Sequence, residues 1–340
     1  MAYGLRAFVA AVLLCSPAFT WAADRLAVLE TFGNPAGAYC SAAGPALISL
    51  QSELEGEAVL LEYNYSWVAD KRLTRFWATG VSAPYLPLVM VGSGHSTSSG
   101  PVDYKNEYSG MIQNELARPP RADITAYWRR LDNFMRAYVT VHNTSGADLL
   151  VDEDATVWLI LYEKAAIGVS NTWVRSTASW SLESDLAPGE TVTTMITTTG
   201  GTVADWNRVA GLVLVDNSPA GHSRYDMVQA TEVVPASLTV IPEELPLTPN
   251  SPTAEFTLQG PHVLEWTATT NVPWLEVVPA TGTLPSTVTV ILIPELRRPM
   301  ETSATVSIDA AGDSMSFHEQ VEVKVGARAR RAAGRAHPNG

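Results

Sequence analysis

A multidomain chain, with an α/β unit followed by two all-β sandwiches, is the architecture the sequence predicts, and three observations predict it. Residues 24–128 alternate strand-like and helix-like segments. From residue 129 onward the apolar segments are short, rich in Thr and Val, and separated by turn residues. Twenty-two prolines in 340 residues leave little room for long helices. Residues 23–340 also exceed what one hydrophobic core usually covers, so more than one domain is needed.

The chain opens like a secretory leader. Arg6 supplies the positive start, Ala7–Leu14 the apolar run, and Thr20, Trp21 and Ala22 a cleavage site before Ala23. A membrane anchor needs about 20 apolar residues, more than this run provides. Lipidation at Cys15 is disfavoured by the bulky Leu13 and Leu14 before it. The expectation is a signal peptide over 1–22 and an exported chain that is periplasmic, outer-membrane-associated or extracellular. No later stretch predicts a transmembrane segment. A net charge of −13 argues against nucleic-acid binding, which needs a basic face to meet phosphates. Once the leader is removed Cys40 is the single cysteine, so no disulfide framework holds the fold.

Within 24–128, Leu26–Phe32 predicts a buried strand and Pro45–Leu54 a helix. Ala58–Tyr65 is a continuous apolar and aromatic run suited to a central strand. Lys71–Thr79 is a short helix stopped by Gly80, and Leu88–Val91 is a strand entered directly from Pro87. Residues 103–118 form an amphipathic helix that Pro119 and Pro120 terminate. Glu30, Phe32, Cys40, Pro45 and Pro87 together resemble the degenerate thioredoxin-like domains of exported bacterial outer-membrane-associated proteins. The resemblance implies a thioredoxin-like fold with Cys40 at the first turn of a helix and a cis bond before Pro87, facing the active-site loop; Pro84 competes for that role. Ala43 stands where such folds carry their second cysteine, and the loop 33–38 is longer than the pattern. Without a resolving thiol a dithiol cycle cannot close within the chain.

Residues 129–235 predict strands over 133–143, 155–162, 171–182, 190–199, 209–216 and 225–232, the spacing of an antiparallel sandwich. Residues 236–325 repeat the β-pattern. Trp266, then Trp274 and Leu275, a Pro279–Gly282 turn and a Thr/Val strand to Leu292 resemble the BACON-type immunoglobulin-like module of bacterial surface proteins. Hinges are expected near 129 and 235, between three separately packed units. Residues 326–340 are rich in Arg, Ala and Gly without apolar period, a basic disordered tail.

Cys40 has two readings. It is a monothiol activated by a helix N-terminus, or a buried remnant that packs as a small hydrophobe. Trp266 and Trp274 likewise either stack on sugar rings or fill the sandwich core. The six histidines lie at no metal-ligand spacing, and no metal or cofactor is expected. Gly92–Gly100 lacks the Gly-x-Ser-x-Gly order and reads as a surface loop. These features favour a non-catalytic binding or structural protein of the cell envelope, its partner a protein or a glycan. Monothiol exchange at Cys40, and non-redox holding of extended peptides, are the alternatives.

Overall fold

The computed structural model describes residues 24–65, 71–81, 85–198, 203–298 and 300–326. The expected leader over 1–22, Pro84 and the expected tail beyond Gly326 lie outside the described residues. The first unit, the head, runs β1 (Ala27–Gly33), α1 (Ala38–Glu53), β2 (Ala58–Asn64), α2 (Lys71–Trp77), β3 (Leu88–Val91), β4 (Ser96–Ser99) and α3 (Tyr104–Leu116). Its sheet has the order β2-β1-β3-β4, with β1 and β2 parallel and the other pairs antiparallel. The parallel pair requires a crossover, which α1 supplies.

Side chains alternate across β1, so it must be apolar on both faces to be central. Ala27 and Leu29 pack with α1 and α3, while Val28 and Phe32 point the opposite way. Two local expectations change. Helix α1 begins at Ala38, not at Pro45, because the extended Gly37 caps it; Pro45 sits inside, where its missing N–H leaves the Ser41 carbonyl without a helical donor. The stretch 92–100 contains strand β4, registered from Ser99 opposite Leu88 to Ser96 opposite Val91. Small polar residues at an edge carry no apolar period, and the pairing partner decides their conformation.

The second unit comprises β5 (Ala122–Leu131), β6 (Phe134–Asn143), β7 (Thr156–Glu163), β8 (Trp173–Ser181), β9 (Thr191–Thr197), β10 (Val209–Asn217), β11 (Asp226–Glu232) and β12 (Val234–Pro235). Sheets β12-β5-β6-β9 and β11-β10-β7-β8 face each other as a sandwich around a core that includes Val139, Val141, Val157, Leu159 and Val213. Because β5 starts at Ala122, the expected boundary at 128/129 cuts a strand. The sandwich begins right after the prolines that end the α3 segment.

The head is not separately packed either. Strand β7 is buried at every position. Its Trp158, Ile160 and Tyr162 leave the sandwich core and join Val28, Phe32, Leu61 and Phe76 in a shared cluster. Four layers result: α1 with α3, the head sheet, then the two sandwich sheets. A hinge near residue 129 would split this shared core, and that expectation is overturned.

The third unit has β13 (Thr239–Ile241), β14 (Glu244–Leu247), β15 (Thr253–Gln259), β16 (Glu265–Thr270), β17 (Leu275–Val278), β18 (Thr281–Thr283), β19 (Ser286–Leu292), β20 (Ser303–Gly312) and β21 (Met315–Val325). Sheets β13-β15-β19-β17 and β14-β21-β20-β16-β18 enclose its own core. Asp313 and Ser314, at φ 44° and 59°, make the tight turn between β20 and β21. No helix among the described residues is long and apolar enough to cross a membrane.

Candidate functional site

Cys40 is the third residue of α1, at the end of the head sheet where β1 and β2 finish and β3 begins. A Cβ on Gly33, the last residue of β1, would lie 3.3 Å from Cys40 Sγ. Phe32 registers with Leu88, which places Pro87 at this same end, and the Leu86–Pro87 bond is cis. The thiol is only 1% exposed. Burial pushes its pKa up, a backbone hydrogen bond at Asn34 pulls it partly back, and the charge of Glu62 pushes it up again. A helix N-terminus alone would favour thiolate, but desolvation wins and the neutral thiol is the resting form. Tyr104, whose hydroxyl is buried without a partner, and Tyr108 share this electrostatic environment, both raised chiefly by burial.

Around the buried thiol the rim is aromatic and exposed. Tyr39 precedes it in α1, Tyr65 donates its amide to the Gly33 carbonyl at 2.9 Å, and Tyr85 packs at Gly100. Gly100 in turn donates to the Pro87 carbonyl at 3.2 Å. All three rings are exposed, Tyr85 most of all at 66%.

Beneath this end lies the seam with the sandwich, built from charges the sequence reading did not single out. Glu30 points from β1 away from α1 and accepts from Tyr63 Oη at 2.8 Å and Arg72 Nε at 2.9 Å. Arg72 also donates to Asp216 on β10 at 2.6 Å. Trp158 Nε1 donates to the same Asp216 at 2.9 Å, and Arg75 bridges Asp216 and Asp154. Burial would depress Arg72, yet Glu30 and Asp216 together hold its pKa above the ordinary guanidinium value. The two carboxylates and two guanidinium groups at the centre balance.

A second clamp captures Glu62 of β2. Its carboxylate accepts from the amides of Val169 and Ser170 at 2.9 and 2.8 Å and from Ser170 Oγ at 2.8 Å. Gly168 permits the approach, since a Cβ there would meet Glu62 Oε1 at 2.1 Å. A third joins Arg25 to Glu115, and to the Val228 carbonyl at 2.6 Å. Sequence held one signal for these clamps. Glu30 and Glu62 interrupt otherwise apolar strand runs, and a carboxylate in a buried strand requires a partner. Which partner was set by tertiary packing.

Trp266 and Trp274 are 1% and 0% exposed in the third core. Trp266 donates to the Thr283 carbonyl at 3.3 Å, with Gly282 against its ring. Rings packed this way offer no face for a sugar, so of the two readings of these tryptophans core packing is the one their burial fits. Among the described residues no group of three or more His, Cys, Asp or Glu side chains is arranged to hold a metal.

The two sandwiches meet at a smaller contact. Asp313, in the β20–β21 turn, accepts from Tyr138 Oη at 2.5 Å and pairs with Arg136 at 3.1 Å and Arg129 at 3.2 Å. The Tyr138 hydroxyl holds the Asp313 carboxyl below its usual range, helped by Arg136 and Arg129.

No protein-family model matches the chain, and no curated protein matches it in sequence. A structural-genomics target from Agrobacterium tumefaciens is similar at 14% identity and TM-score 0.38, over 63% of this chain and 96% of that one. The periplasmic chaperone SfaE aligns at 6% identity and TM-score 0.24, over 27% of this chain and 58% of that one. Tandem immunoglobulin domains of titin align at 9% and 0.22, over 61% and 97%. Likenesses this weak assign neither family nor activity.

Proposed function

We propose that this is an exported, non-catalytic interaction protein of the cell envelope, with a redox-degenerate thioredoxin-like head fused to a sandwich and a BACON-type module beyond it. The carrying observation is Cys40, a buried neutral thiol with Ala43 where a resolving cysteine would stand. Thiol exchange requires an accessible thiolate, and both accessibility and ionisation are suppressed at this position. The thioredoxin-like reading of the head is supported by its β-α-β-α-β-β-α order, the sheet order β2-β1-β3-β4, and the place of Pro87 at the Cys40 end of the sheet. Export rests on the leader sequence.

The binding surface in this reading is the tyrosine rim of Tyr39, Tyr65 and Tyr85. Exposed aromatic rings beside the start of a strand suit an extended peptide, which they contact through apolar faces and hydroxyl tips. The test is turnover. Purified chain should not accelerate reduction of a disulfide substrate by dithiothreitol, and Tyr39→Ala with Tyr85→Ala should weaken capture of unfolded peptides. Turnover that disappears in Cys40→Ser would overturn the non-catalytic reading in favour of monothiol exchange.

A further inference from the structure

We infer that β9 is the edge through which this protein pairs with a second copy of itself, Thr191–Thr197 of the two chains lying antiparallel about a two-fold axis at Thr194. Strand β9 closes one side of the sheet β12-β5-β6-β9. Just outside the strand, the Asn143 amide donates to the Glu190 carbonyl and the Thr198 amide to the Met135 carbonyl, both at 2.9 Å. The ladder to β6 between those bonds therefore uses Val192, Thr194 and Ile196. The N–H and C=O groups of Thr191, Thr193, Met195 and Thr197 point away from the sheet, and among the described residues they meet no hydrogen-bond partner.

Every other sheet edge among the described residues is guarded. Folded proteins protect such edges by keeping the strands short or by placing charges and prolines on them. Strands β4, β12, β13, β14, β17 and β18 have four residues or fewer. The longer edges β2, β8 and β11 carry Glu62, Arg175, and Asp226 with Glu232. On β11 the Val228 carbonyl is already taken by Arg25 and by the Arg121 amide. Strand β9, Thr-Val-Thr-Thr-Met-Ile-Thr, runs seven residues with no charge and no proline, in unbroken register with β6. Met195 on its outer face is 52% exposed although its register partner Tyr138 is covered by the third module, so the edge itself stays open.

Charge and register both select a second copy as the occupant. A two-fold axis brings each residue near the centre of the strand close to its own mate, so a charge there would face itself. An uncharged strand is what self-pairing requires, whereas a foreign strand imposes no such neutrality. In a chain of net charge −13, neither β9 nor the adjacent β6 contains a carboxylate, so repulsion between two copies is least at this edge. With the axis at Thr194, Thr191 stands opposite Thr197 and Thr193 opposite Met195, and every outward N–H and C=O finds a partner. On the inner face Val192 comes opposite Ile196. Ile196 belongs to the sandwich core and Val192 packs at its margin only partly buried, so pairing extends that core across the junction and covers Val192. Two four-stranded sheets become one continuous sheet.

Sedimentation equilibrium of the full chain across the micromolar range tests the proposal, residues 1–22 being the same in every variant. The chain should form a dimer that dissociates on dilution. Thr193→Pro removes an amide that faces the partner and leaves the ladder to β6 intact. Because the bond is lost in both copies, it should weaken the dimer about tenfold or more. Met195→Lys, a charge on an exposed position, should do the same, with circular dichroism unchanged in both variants. Hydrogen exchange gives the location: the amides of Thr193 and Met195 should be protected in the dimer and exchange freely in the dilute monomer. A chain that stays monomeric throughout would overturn the proposal, including one that takes up an added foreign strand instead. So would a dimer undiminished in both variants, or one in which those two amides remain unprotected.

Discussion

The seam between the head and the first sandwich and the joint between the two sandwiches are both interfaces within one chain, yet they are built on different principles. At the seam, Trp158, Ile160 and Tyr162 share a continuous core with β1 and β2, and Arg72, Glu30 and Asp216 are fully buried inside it. At the joint, the turn residue Asp313 reaches two partly exposed arginines and the buried Tyr138, whose ring meets His262 edge-on. Broad apolar burial with internal charge pairs makes two units fold as one, whereas a few surface ion pairs only orient neighbours. The chain therefore has a composite body and one appended module, not three equivalent beads.

Removing Arg72 strikes hardest at this difference. Arg72→Met leaves Glu30 and Asp216 buried without their shared cation and should destabilise the composite body by about 3–5 kcal/mol. Denaturant unfolding should show head and sandwich losing structure together; separate transitions for the two would break the comparison. Trp266→Ala should cost a similar amount, about 3–5 kcal/mol, but confined to the third module, with the composite body unfolding at its original midpoint.

Limited proteolysis reads the same contrast by location. Cleavage near residue 236 should precede any cleavage between 116 and 134, and early cutting at the latter site would mean that the seam is as loose as the joint. Asp313→Ala should accelerate the cut near 236 while changing global stability by about 1 kcal/mol or less, because Asp313 and its two arginine partners are partly solvated. Acid should imitate that variant. The Asp313 carboxyl is depressed in the folded state by Tyr138 first and then by Arg136 and Arg129. Its contribution is therefore complete above the ordinary carboxylate range, about pH 4, and is lost as pH falls through the lower folded-state value.

The smallest effect belongs to Cys40. A thiol-specific reagent should modify it slowly in the native chain and at once in denaturant, and Cys40→Ala should cost about 1 kcal/mol. Rapid native labelling would show that the thiol is accessible and would reopen its chemistry.

Individual elements were legible in proportion to how local their causes were. Ala58–Asn64 and Thr156–Glu163 were evident as strands because both faces are apolar, and α3 because its apolar face repeats helically before two prolines. Strand β4 was not legible, since Ser96–Ser99 has no pattern of its own and becomes a strand by pairing with β3. For the candidate site, Cys40 and Pro87 were identified from their neighbours in the chain. Arg72, Asp216 and Asp313 were not, as their partners lie 42, 144 and 177 residues away.

By itself the sequence determined the order of the α/β and β-rich parts, the cysteine without a resolving partner and the acidic balance, because these depend on residue type and short-range spacing. Tertiary structure alone decided that the head and the first sandwich share a core, that Cys40 is buried and neutral, and that Trp266 and Trp274 face inward. Burial and charge pairing are properties of surfaces brought together from distant segments, and the same apolar strand reads identically in sequence whether its second face meets a helix or another sheet.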